Sequence, residues 1–213
     1  QAESVLATIA AGWPRLVIDY LADRVRQSRG LGPREFEPLP RGFHMLQKVL
    51  QKEVEHLLSV SSELYKEDPA SFRFRGVLLI SNVFPKFTPE LNEQLFELAR
   101  KGSDVALQFL ANLLGKYKSD AAIYGLCKEI IARTEDQDVR TDVQLAMTTF
   151  GVVGGEYGFA DAYQRVKDGV QQWLKDEREP VRDFAKAFLH QLEQTIASER
   201  RSAQLRAEQR KRA

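Results

Sequence analysis

Cysteine is almost missing from this chain. Cys127 is the only one in 213 residues, so no disulfide can form within the chain and a disulfide-stapled fold is excluded. A single thiol in an apolar stretch reads as a buried structural group in a reducing, cytoplasmic setting. Histidine is scarce as well. His44, His56 and His190 are scattered, and none stands four residues from another, so the helix-borne zinc motif is absent and no metal site is expected. Long hydrophobic runs are lacking: Val77-Leu78-Leu79-Ile80 and Val5-Leu6-Ala7 fall far short of the roughly 20 residues that span a bilayer. Charge of one sign is not in excess either. The 31 Lys+Arg against 30 Asp+Glu leave a formal charge of +1, which gives no global pull toward a membrane or nucleic acid.

What is present is enough for a core. Hydrophobic residues make up 43% of the chain and charged residues 29%, which excludes a disordered polymer. The opening, Gln1-Ala2-Glu3-Ser4, has neither an initiator Met nor a signal-peptide pattern, and the sequence reads as a segment of a longer protein.

The periodicity is helical almost throughout, so an all-α fold with little or no sheet is expected. Residues 3–11 form a short apolar helix ended by Gly12. Pro14 opens a second one that runs to about Ser28, with Leu16, Val17, Tyr20, Leu21 and Val25 as its stripe. Residues 29–41 hold Gly30, Gly32, Pro33, Pro38 and Pro40 and form a loop. Phe43 to Tyr65 keeps helical spacing as one run, ended by Asp68-Pro69. Helices follow over 72–84, 90–101, 105–116, 121–133, 139–150, 160–175 and 181–212. Asp120 caps the fourth of these and Asp138 the fifth, and Gly102 stands where a C-terminal cap belongs.

Some of these helices open on the same pattern. Phe72, Val105, Val139 and Val181 are followed four residues on by Gly76, Phe109, Val143 and Ala185, and eight on by Ile80, Leu113, Met147 and Leu189. Three are followed directly by Arg73, Arg140 and Arg182. A recurring helix pair that cannot bury its own apolar face forms a core by stacking. Asp138-Val139-Arg140 and Pro180-Val181-Arg182 resemble HEAT repeats, and the resemblance implies an aspartate that caps a helix and an arginine that ties neighbouring units. The 34-residue spacing also suits tetratricopeptide units, but their Trp/Leu/Gly/Tyr pattern is not found at the required offsets. The expected architecture is a HEAT-like α-solenoid of stacked antiparallel helix pairs. It divides into an N-terminal hairpin and proline/glycine loop over 1–41, repeats over 42–198 and a basic helix end over 199–213, with formal charges of +1, −4 and +4.

No catalytic constellation emerges. There is no phosphate-binding Gly-x-x-x-x-Gly-Lys-Ser/Thr loop, and the serines Ser59, Ser61 and Ser62 have no positioned base. The acidic turns around Glu135-Asp136 and Asp176-Glu177 lack calcium-loop spacing and read as helix caps. No enzyme activity, cofactor or metal is expected of this segment. Protein binding is, with Tyr157, Phe159 and Tyr163 beside a glycine-rich insert as contact anchors and Arg140 and Arg182 as repeat arginines. The six cations of the last turns, Arg200, Arg201, Arg206, Arg210, Lys211 and Arg212, alternate with Glu199, Gln204, Glu208 and Gln209 and read as a solvated helix end.

Several stretches together resemble the C-terminal end of the STAND-type NTPases of bacterial antiviral defence. They are Trp13-Pro14 through Ile18-Asp19-Tyr20 and Arg24, Leu39-Pro40, Leu110 to Tyr117, Leu126 to Ile131, Gly154-Gly155-Glu156-Tyr157-Gly158-Phe159 to Tyr163, Trp173-Leu174, Val181-Arg182-Asp183-Phe184-Ala185 and Glu199-Arg200-Arg201. In that family an N-terminal effector and a central NTPase precede a helical-repeat sensor. The resemblance implies that this segment is the sensor, binding a phage protein, with oligomerisation running through a larger parent chain. A general HEAT scaffold for a host protein is the alternative. A nucleic-acid-binding helical repeat is disfavoured by the −4 of residues 42–198.

Overall fold

The computed structural model describes residues 2–29, 37–40, 42–117 and 121–212, with only the backbone described at 211 and 212. These residues are all helix, turn and connection, with no strand among them. No helix among them is long and apolar enough to cross a membrane.

Helix α1 (Ala2–Ala10) turns at Gly12 into α2 (Pro14–Gln27), which has its proline in the first turn, where the absent N–H is no loss. The buried stripe of α2 is Val17, Ile18, Leu21, Ala22 and Val25. Leu16 and Tyr20, expected within it, are 59% and 46% exposed. This helix is apolar on two sides, and Ile18 and Ala22 complete the face that meets the core, leaving Leu16 and Tyr20 on the opposite side. Of the expected 29–41 loop, 30–36 and 41 lie outside the described residues. Residues 37–40 are non-helical, and Arg24 donates to the carbonyls of Pro38 at 2.8 Å and Glu37 at 3.0 Å.

The single helix expected from Phe43 to Tyr65 is broken in two. After α3 (Gln47–Leu50) a 3-10 turn spans Gln51–Glu53, and α4 (Val54–Glu67) follows. Glu53 leaves helical angles at φ −105° and ψ 36°. Gln47 and Gln51 fasten this break by donating to the carbonyls of Asn82 and Val83 at 3.2 and 2.7 Å. Asp68 then caps the next turn by accepting from the Ser71 N–H. The chain passes through α5 (Pro69–Ser71) and a π-helical turn (Phe72–Gly76) into α6 (Val77–Val83). The π turn places the Phe72 ring against Gly76, where a Cβ would collide with it. Phe72 lies 5.6 Å from the Tyr65 ring and 5.3 Å from the Phe109 ring, and Tyr65 and Phe109 are 5.8 Å apart.

Helix α7 (Pro89–Lys101) is capped by the Thr88 hydroxyl, which accepts from the Leu91 N–H. Gly102 joins it to α8 (Asp104–Leu114) in an extended conformation. Glycine is needed there for space, since a Cβ would lie 2.5 Å from the Leu98 carbonyl oxygen. Asp120 lies outside the described residues. A 3-10 turn (Ala121–Ile123) leads into α9 (Tyr124–Ile131), and α10 (Gln137–Thr148) follows. The cap of α10 is Asp136, not Asp138: the Asp136 carboxylate accepts from the N–H groups of Asp138 and Val139. An N-cap residue must itself stand outside the helix, and Asp138 is already in the first turn. The chain ends in α11 (Gly158–Gln171), a 3-10 turn (Gln172–Lys175) and α12 (Glu179–Arg212). At 34 residues, α12 is about 51 Å long.

Neighbours in sequence are neighbours in space. Helix α1 packs on α2, α2 on α4, and α4 on both α6 and α8. Helix α7 packs on α8 and α9, α8 and α9 on α10, α10 on α11, α11 on α12, and α12 back on α9. Eleven of the twelve positions in the expected recurring stripe are buried. Val105 is the exception at 46% exposed, because it sits in the first turn of α8 beyond its packed face. Polar ties cross between helices too. The Asp142 carboxylate on α10 accepts from Arg73, Gln108 and Asn112.

Phe109→Ala should lower the stability of the chain by about 3–5 kcal/mol in urea denaturation, as expected for a buried phenylalanine. Val105→Ala should change it by no more than about 0.5 kcal/mol. Equal effects would reject the register given above for α8.

Candidate protein-binding surface

The connection between α10 and α11 is the longest described one in the C-terminal half. The Thr149 N–H bonds to the Leu145 carbonyl, which closes α10. Gly151, Gly154 and Gly155 then let the chain fold tightly. Gly155 has φ +90°, a conformation that costs side-chain-bearing residues energy and glycine little. The turn is completed by a bond from the Gly158 N–H to the Gly155 carbonyl at 3.3 Å.

This turn leaves apolar side chains in water. Val152 is fully exposed, Phe159 is 50% exposed and Tyr157 39%. Tyr163 differs from the other two expected aromatic anchors. One and a half turns into α11, it is half-buried and stacks edge-on against Phe150, with ring centroids 4.8 Å apart. Its ring is committed to holding the insert against α11.

The two expected arginines lie elsewhere. Arg140 and Arg182 stand near the starts of α10 and α12, at the opposite ends of those helices from the insert. Each folds back onto the turn before its own helix, and each reaches the carbonyl six residues earlier. Arg140 donates to Thr134 at 3.0 Å, and Arg182 to Asp176 at 2.8 Å and Glu177 at 2.7 Å. Ties between separate helices come from other arginines. Arg133 donates to the Arg100 carbonyl, and Arg178 on the α12 turn bonds to Glu129 of α9 at 2.8 Å.

That second tie belongs to a compact ion cluster. Asp176 accepts from the Arg178 side chain at 2.8 Å, from the Arg178 N–H at 3.0 Å and from Lys128 at 3.1 Å. Arg178 holds the Asp176 carboxyl well below the usual carboxylate range. Burial pushes the Glu129 carboxyl up, but hydrogen bonds from Arg133 and Arg178 outweigh it and the net direction is down. The acidic turns thus cap and pair.

The structure also joins two features that are far apart in sequence. The last turns of α12 run past the insert, with Ala203 buried among them. Arg210 meets Glu156 at 3.3 Å. Between them lies an open groove of about 500 Å³ lined by Val153, Glu156, Phe159, Arg206 and Arg210 and by the backbone of Gly155 and Gly158. The Arg206 side chain has no ion-pair or hydrogen-bond partner among the described residues, while its carbonyl accepts from the Arg210 Nε at 3.4 Å.

Elsewhere, His56 pairs with Asp19 at 2.8 Å and His190 with Gln194 at 2.9 Å. Cys127 is fully buried, and burial pushes its thiol up, away from the thiolate that a nucleophile needs. No cluster of three or more His, Cys, Asp or Glu able to hold a metal ion occurs among the described residues. No family model, curated protein or solved structure matches this chain.

Asp176 and Glu129 have folded-state affinities for protons below their unfolded ones. Their contribution is therefore complete above the unfolded carboxylate range near about pH 4 and is lost as pH falls through the depressed folded values. Arg178→Ala should cost about 1–3 kcal/mol at pH 7. In urea titrations its gap from the parent chain should shrink steadily as pH falls below about 5 and should still be partly present at about pH 2, because the folded Asp176 carboxyl is held so far down. A gap independent of pH would show that Arg178 acts through packing alone.

Proposed function

We propose that this chain is a non-catalytic, protein-binding sensor built as a HEAT-like α-solenoid, and that it reports a phage protein to a STAND-type NTPase within a larger parent. Two observations of the fold support the architecture: helices pack in sequence order, and the recurring stripe is buried at eleven positions of twelve. The resemblance of the glycine-aromatic insert and the charged tail to the defence NTPases is a third. Arg140 and Arg182 depart from the pattern, since each bonds to the turn before its own helix rather than to a neighbouring unit.

The observation that carries the binding role is the insert. It holds Tyr157 and Phe159 partly in water on a tight glycine turn anchored by Tyr163 and Phe150. Partly exposed aromatics on a fixed backbone bury large area on contact with little loss of side-chain entropy, which is why they dominate the energetics of protein interfaces. A stacked helical array suits the role because each unit contacts only its neighbours, leaving an extended surface for a partner. In the parent, partner binding favours one state of the sensor and so shifts the assembly equilibrium of the NTPase.

The immobilised chain should retain one protein from a panel of individually expressed phage proteins. Tyr157→Ala/Phe159→Ala should weaken that retention tenfold or more with an unchanged circular dichroism spectrum. Retention of no phage protein, or equal retention by the double variant, would sink this reading. A host protein retained instead, through the same aromatics, would favour the scaffold alternative.

A further inference from the structure

We infer that the groove between the insert and the end of α12 takes an acidic, extended segment of a protein partner, with alternate carboxylates on the arginines and an apolar side chain against Phe159. The inference rests on the sensor reading above and gives its partner a chemistry.

Charge comes first. Residues 199–213 carry a formal excess of +4, against −4 for the 157 residues before them. Arg206 faces the groove with no carboxylate partner among the described residues. Arg210 has Glu156 at 3.3 Å, but both side chains are exposed, at 69% and 41%, and its Nε donates to the Arg206 carbonyl at 3.4 Å. Such a pair is worth little on its own, so an incoming carboxylate can displace Glu156 from Arg210 at small cost. Arg206 and Arg210 are four residues apart on one helix, about 6 Å along its axis. Alternate side chains of an extended chain point the same way and recur at about 6.6 Å. Two carboxylates separated by one residue therefore match the two guanidinium groups, each of which offers paired donors to a carboxylate.

The rest of the wall selects protein over nucleic acid. Phe159 is 50% exposed and Val153 is partly exposed beside it, an apolar surface for a leucine-sized side chain two positions beyond the second carboxylate. Glu156 stands in the same wall and repels a phosphate backbone, which brings several charges close together. A peptide has to present only two.

The test is fluorescence anisotropy on the full chain with a labelled 12-residue peptide whose centre reads Glu-Ser-Glu-Ser-Leu. Controls carry Gln for Glu, or Ser for Leu, and a twelve-nucleotide oligothymidine serves as the nucleic-acid probe. The Glu peptide should bind at least tenfold tighter than its Gln version and weaken between 50 and 200 mM salt (about a Debye-length change from 14 to 7 Å). Arg206→Glu/Arg210→Glu should weaken it tenfold or more with an unchanged melting curve, since both positions are exposed. Glu156→Gln should strengthen it severalfold by freeing Arg210, the opposite of what a structural role for that pair predicts. Equal binding of the Gln peptide, indifference to the charge reversal, or tighter binding of oligothymidine would each overturn the inference. A phage protein whose retention needs Tyr157 and Phe159 but not the arginines would also overturn it and leave the sensor reading standing. Arginine-dependent peptide binding with no phage protein retained would uphold the groove and remove the sensor assignment.

Discussion

The interaction on which the fold most depends is the meeting of Tyr65, Phe72 and Phe109, three rings from α4, the π-helical turn and α8 that lie within 6 Å of one another. Each comes from a different segment, and α4 packs on both α7 and α8, where the N-terminal helices meet the rest of the fold. Edge-to-face contact of aromatic rings stabilises beyond the area it buries. The π turn aims Phe72 into this contact, and Gly76 leaves room for its ring. A regular α-helix through 72–76 would rotate Gly76 and α6, which follows, relative to Phe72 and α4. The irregular turn is therefore part of the core.

A second constraint organises the C-terminal third. Asp176, Arg178, Glu129 and Arg133 link the turn before α12 to α9, and Arg133 goes on to the end of α7. These groups are charged, yet the carboxylates are largely shielded, with side-chain exposures of 10% and 13%. A shielded ion pair fixes geometry more firmly than an exposed one, because its partners have few alternatives. With the Asp142 carboxylate, which gathers Arg73, Gln108 and Asn112, this cluster ties helices together where Arg140 and Arg182 do not.

Much of this was legible in the sequence. Helical class, the buried stripe and most helix limits follow from apolar spacing and from Pro14, because periodicity and first-turn proline act locally. What escaped is what depends on contacts between segments. Leu16 and Tyr20 sit on an apolar face that nothing in α2 itself marks as the outer one. The break at Gln51–Glu53 is fastened by the Asn82 and Val83 carbonyls, more than 30 residues away. Asp136 and Asp138 are equally good caps on composition, and only the backbone conformation separates them. At the candidate surface, the exposed aromatics and the basic helix end were each readable. Their adjacency was not, since Glu156 and Arg210 are 54 residues apart and no local spacing brings them together.

The length of α12 has a mechanical consequence. One unbroken helix of 34 residues begins directly after the ion cluster and carries the arginine groove near its last turn. An α-helix resists bending because every turn is held by its own hydrogen bonds, so the two ends behave as the ends of a rigid beam. No chain of side-chain contacts is needed to connect them: the stiffness of the backbone alone makes the far ends of this helix share one orientation.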